Sequence, residues 1–76
     1  MKISHFEDTD TLLIELKPGS VAETSVLDEN TLIDLGAQGL LLAITLEHAS
    51  TRARLSSFSF DRVAASSEHL AVAAVA

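Results

Sequence analysis

Two apolar runs separated by four loop residues, within Asn30 to Ser50 (NTLIDLGAQGLLLAITLEHAS), limit what this chain can become. Ile33 and Leu35 alternate with Leu32 and Asp34. Leu40, Leu42, Ile44 and Leu46 alternate with Leu41, Ala43, Thr45 and Glu47. A period of two places alternate side chains on opposite faces of a sheet. One face of the second run is wholly apolar, while the other grades from Leu41 to Glu47. Glycine takes positive φ without a Cβ clash, so Gly39 can close a four-residue hairpin loop (Gly36-Ala37-Gln38-Gly39) on a type I turn. That loop sets Ile33 opposite Leu42 and Leu35 opposite Leu40. A slip of one residue would turn the apolar set outward. A helix over Leu40 to Glu47 is the competing reading of so short a run; the period and the flanking Gly and Thr residues oppose it.

The remaining chain supplies partners for this hairpin. Lys2 to Phe6 alternates and predicts a first strand. Glu7-Asp8-Thr9-Asp10 is a turn of short polar side chains that bond their own backbone. Thr11 to Leu16 predicts a second strand, with Leu12, Ile14 and Leu16 inward. Lys17-Pro18-Gly19-Ser20 ends it, because proline cannot donate to a ladder. Val21 to Leu27 predicts a third strand whose imperfect alternation suits an edge, and Asp28-Glu29-Asn30 turns back. Short strands with tight connections make an antiparallel meander the economical topology. Beyond Glu47 the period is lost. Ser50 is a candidate cap for a short helical turn. Residues 56–60 (SSFSF) suit a loop, or a short strand with Phe58 and Phe60 on one face. From Asp61 to Val75 the alanine-rich sequence predicts a helix capped by Ser59 or Asp61, packed on the sheet. The fold class expected is therefore α+β, a four- or five-stranded antiparallel meander and a C-terminal helix. One small domain over residues 1–76 is expected, with the meander in 1–50 and the helical tail in 51–76.

Such short chains bury only about 60% of their unfolded surface. There is no cysteine, so disulfides and Cys-based zinc sites are excluded. Yet 47% of the residues are apolar, which points to burial against another subunit. The formal charge of −6 opposes sequence-independent binding to a phosphate backbone and would attract a basic protein. No stretch has signal-peptide or membrane-span character, so a cytoplasmic address is expected.

Phe6 to Leu16 (FEDTDTLLIEL), Val21-Ala22-Glu23-Thr24, Asp28-Glu29-Asn30, Asp34, Gly39, Ile44 and Ala49-Ser50 together resemble a family. It is the small prokaryotic Domain of Unknown Function 2283, or YuzE-like, family. Asp10, Leu12, Ile14 and Leu16 match its first D-x-L-x-I-x-L strand. Leu13 stands where an aromatic is common, Ala43 where glycine is common and His48 where Asp is common. The resemblance covers residues 1 to about 52. It implies a compact β-rich domain with no agreed catalytic residues. It also implies an antitoxin-like or binding-partner role, because members are sometimes encoded beside small toxin-like proteins.

The chain carries no glycine-rich phosphate loop, HExxH, GxSxG or EF-hand pattern. Glu47 and His48 point to opposite faces of a strand, and His5 and His48 could meet only if the first and fifth strands pair. A zinc site would need a further ligand such as Asp10 or Asp34. Surface histidines are the simpler account. Asp8, Asp10, Asp28 and Glu29 suit turns better than acid–base chemistry. Asp34, among apolar neighbours, suits an edge or an interface pairing with Arg52 or Arg54 of another subunit. Arg52 and Arg54 could clamp an anion, or answer surface acids.

The expectation is a non-catalytic protein-interaction module with no cofactor, no metal, and neither nucleic acid nor membrane as partner. Its expected partners are itself, as a homodimer or larger, and a basic protein. A self-assembling structural or regulatory homo-oligomer is the alternative. An enzyme or small-ligand binder with a site between subunits ranks last.

Overall fold

The computed structural model describes residues 1–64. Five strands, β1 (Lys2–Phe6), β2 (Thr11–Glu15), β3 (Glu23–Asp28), β4 (Thr31–Leu35) and β5 (Leu41–Leu46), form one antiparallel sheet. A single helical turn, α1 (Ala49–Arg52), follows. The α+β expectation holds. The strand order, which the sequence leaves open, is β1-β2-β5-β4-β3. Two meanders, β1–β2 and β3–β4–β5, are zipped together where β2 lies against β5. The connection around Pro18 and Gly19 carries the chain from mid-sheet to the far edge. There β3 leaves Val26 and Leu27 65% and 62% exposed, consistent with its broken alternation.

The hairpin forms, but in another register, and the expected faces hold only as far as the bulge. Ile33 lies opposite Ile44 and Asp34 opposite Ala43, whereas Leu35 lies opposite Leu41. Leu42 is thus an extra residue in β5, a β-bulge. The loop is longer than four residues, closed by Gly36 N–H donating to Leu40 O at 2.7 Å. Its apex is a 3-10 turn (Ala37–Gly39) with Gln38 at φ 63° and Gly39 at φ 77°, the left-handed conformation glycine adopts freely. Relative to the expected pairing the register moves by two at Ile33, which keeps its face, and by one at Leu35, which pairs with Leu41 from the run expected on the other face.

The bulge has a packing role. Leu42 O accepts from both Leu16 N–H and Lys17 N–H, at 2.8 and 3.2 Å. Its side chain is only 4% exposed. A Cβ on Gly36 or Gly19 would lie 3.2 Å from a Leu42 methyl, so the two glycines let both loops close over it.

Register aligns side chains in rows across the sheet. Ile3, Ile14, Ile44 and Ile33 are successive partners on four adjacent strands. The next row on that face is His5, Leu12, Leu46 and Thr31. The opposite face alternates polar and apolar, with Lys2 opposite Glu15 and Ser4, Leu13, Thr45, Leu32 and Val26 in line. Among described residues the buried apolar side chains are Leu12, Leu42, Ala43 and Ala49. The isoleucine row is not among them.

The helix expected from Asp61 to Val75 lies mostly outside the described residues; residues 61–64 carry no helix. Residues 56–60 form no strand, which resolves SSFSF as loop. No helix of the described residues is long and apolar enough to cross a membrane.

Candidate functional site

The starts of β2 and β4 and the end of β5 lie side by side, since Leu12 and Thr31 both pair with Leu46. Topology therefore gathers the β1–β2 turn, the β3–β4 turn and α1 at one end of the sheet. Asp10 holds the first turn to α1. Its φ of 53° suits aspartate, whose short polar side chain tolerates this region. Asp10 O accepts from Ala49 N–H at 2.9 Å. Its carboxylate accepts from Ser50 N–H at 3.1 and 3.2 Å and from the Ser50 hydroxyl at 2.6 Å. His5 Nε2 lies 2.8 Å away, donating to the same carboxylate. The Ser50 hydroxyl, then His5, hold the Asp10 carboxyl below its ordinary value of 3.8.

Ser50 is therefore not the cap. His48, in the left-handed conformation at φ 55°, occupies the N-cap position without a side-chain bond. Asp10 satisfies the helix amide from across the fold, a service that local sequence cannot disclose.

Arg52 fastens the second turn. Its Nη1 donates to Asn30 O at 2.6 Å and Glu47 O at 3.1 Å, and its Nη2 donates to the hydroxyl of buried Thr31. Asp28 takes Asn30 N–H at 2.8 Å. That bond, then the Thr31 hydroxyl, keeps the Asp28 carboxyl below its ordinary value, with a smaller contribution from the Arg52 charge. Both terminal nitrogens of the guanidinium are thus engaged by two carbonyls and a hydroxyl of the chain itself. Asp34 accepts from the Thr24 hydroxyl at 2.7 Å across the β3–β4 pair, so its carboxylate is partnered within the chain.

His5, Asp10 and Ser50 are residue types of nucleophilic catalysis in the wrong sequence of bonds. A serine nucleophile must give its proton to an imidazole, which the carboxylate then orients. Here hydroxyl and imidazole both donate to the carboxylate, whose lowered pKa makes it a weak base. The cluster is a fastening. β1 pairs with β2 and not β5, so the strand pairing expected to bring His5 to His48 does not form. No group of three His, Asp or Glu side chains among the described residues is placed to hold a metal ion.

A pH dependence follows. A carboxyl whose folded-state pKa is depressed adds stability that is present above its unfolded pKa and lost as pH falls through the folded value. For Asp10 and Asp28 that loss falls below pH 3.8. Thermal melts should be level near neutrality and weaken below about pH 4. Asp10→Asn should melt lower at pH 7 and show a shallower acid limb, with Asp28 still contributing.

The other feature is a cleft. After α1, residues 53–60 pass along the isoleucine-bearing face without closing onto it. They leave an open space of about 720 Å³ lined by Ile3, Leu12, Ile14, Leu55, Phe58 and Phe60, with His5 and Arg54 among its polar edges. Phe58 and Phe60 are 72% and 69% exposed. Sequence reasoning read this segment as a loop or as a short strand with both phenylalanines on one face, and had no means of placing them against β1 and β2.

Over the described residues, fold and site together define a small α+β protein with an apolar sheet face and a hydrogen-bonded acidic end. The family model described as a protein of unknown function (DUF2283) matches residues 2–50, and the chain belongs to that family. The match covers the whole sheet and ends at Ser50, the residue that docks on Asp10. No curated protein and no solved structure matches the chain.

Proposed function

We propose that this chain is a non-catalytic protein-interaction module whose working surface is the isoleucine face of its sheet. One observation carries this reading: among the described residues four isoleucines stand in line on adjacent strands, three of them half-buried and Ile3 exposed. Sheets with an apolar face are stable when a second layer covers it. Full burial of one such side chain is worth roughly 1.5–3 kcal/mol, so a row that the described residues leave partly exposed, most of all at Ile3, retains a fraction of that for association. The acidic end supports a basic protein as partner, and an antitoxin-like role is the particular form of that reading. The near absence of charge on the face favours a second reading, self-assembly into a homodimer or larger oligomer, because two copies could stack without opposing acids.

Light scattering over a dilution series, together with a Phe58→Ser/Phe60→Ser variant, tests the surface. The expected result is a mass that rises with concentration for the natural chain and falls to the monomer value for the variant, with unchanged circular dichroism. A natural chain that stays monomeric and does not enhance the fluorescence of an apolar dye would overturn the reading.

A further inference from the structure

Resting on the reading of the isoleucine face as the working surface, we propose that the chain's own segment 65–76 (ASSEHLAVAAVA) occupies the cleft until a partner displaces it. Chemistry is the first reason. The cleft is walled by Ile3, Leu12 and Ile14 of the sheet and by Leu55, Phe58 and Phe60 of the segment after α1. Among the described residues no carboxylate lines it, and its titratable side chains are His5 and Arg54. Leu70 to Ala76 carries no polar side chain, and a run that is apolar on every side needs burial. Glu68, the one acid of the segment, has the sign that suits Arg54 at the edge of the cleft.

Reach is the second reason. Phe60 lines the cleft and Ala65 follows five residues later, so at most about 18 Å of chain separates the segment from the cleft wall. Twelve residues wound as a helix measure about 18 Å, against about 16 Å for β1, the strand that carries Ile3 along the cleft. The alanine-rich composition suits that form. Tethering is the third reason. A segment joined through so short a connection meets the cleft at an effective concentration on the order of millimolar. A free partner must compete with it, so residues 65–76 set how readily the face is used.

The chain has no cysteine, so Ser67→Cys carries a nitroxide spin label at one known place. Amide spectra of the full labelled chain, taken dilute, should show broadening several-fold stronger at Ile3, Ile14 and Leu55 than at Val26 and Leu27 on the far edge. The broadening should vanish when the nitroxide and the isotope label are on different molecules, because the contact lies within one chain. Leu70→Ser/Val72→Ser in the full chain should raise the fluorescence of an apolar dye several-fold, with the amide shifts of β3 unchanged. Even broadening across the sheet, broadening that persists between molecules, or a dye signal indifferent to the double variant would overturn the inference. Light scattering of the same samples separates the two readings. Even broadening in a natural chain that associates defeats the inference and leaves the interaction surface standing. Local broadening in a chain that stays monomeric, with or without the double substitution, keeps the inference and defeats self-assembly.

Discussion

Leu42→Ala is expected to destabilise the protein by about 3 kcal/mol, within the range for truncating a buried leucine. Leu42 is the most enclosed large side chain among the described residues, at 4% exposure. It sits at the bulge, with Gly19 and Gly36 drawn against its methyls. Truncation leaves a hole between two loops whose glycines have no side chains to fill it. Marginal stability of roughly 0.05–0.15 kcal/mol per residue makes that a large share of the total. Urea unfolding by circular dichroism measures it, as a lower midpoint at unchanged slope. A loss below about 1 kcal/mol would mean that the loops collapse onto alanine and that the bulge does not depend on its side chain.

Arg52→Ala should cost about 2 kcal/mol, because it strips two carbonyls and the Thr31 hydroxyl of a charged donor. The β3–β4 turn, the end of β5 and α1 are tied through this one guanidinium. Faster hydrogen exchange should therefore appear at Glu47, whose N–H donates to Asn30 O at 2.9 Å, and through residues 49–52. Arg52→Lys should recover only part of the loss, since an ammonium lacks the planar fork that reaches several acceptors at once. Full recovery by lysine would show that charge alone, and not the fork, holds the turn.

Both effects concern how the parts of the sheet are locked together, and that is where sequence and structure part company. Strands at Lys2 to Phe6, from Thr11 and through Ile33 and Leu35 are legible from the alternation of residue types along the chain. The edge position of β3 is legible from its failure to alternate. The faces at Ile33 and Ile44 are legible too, since parity survives a register change of two there; at Leu35 the bulge breaks it. The register itself is not: a bulge at Leu42 and one more loop residue depend on how Gly19 and Gly36 pack, and those glycines are distant in sequence. For the same reason the His5–Asp10–Ser50 fastening could not be foreseen. Its acid and its hydroxyl are forty residues apart and meet only once β2 lies beside β5. Arg52 read as either an anion clamp or an answer to surface acids, because local charge is visible in a sequence and the carbonyls of a remote turn are not.

By itself, then, the sequence determined the strands, their apolar faces, the turns between them and membership of the DUF2283 family. These depend on local backbone preference and on a period of two, which neighbouring residues encode. Tertiary structure alone decided the β1-β2-β5-β4-β3 order, the bulge, the isoleucine row, the gathering of the acidic turns and the cleft under residues 53–60. Each of these depends on which strand lies beside which, a choice made by long-range packing and by hydrogen bonds between segments far apart in the chain.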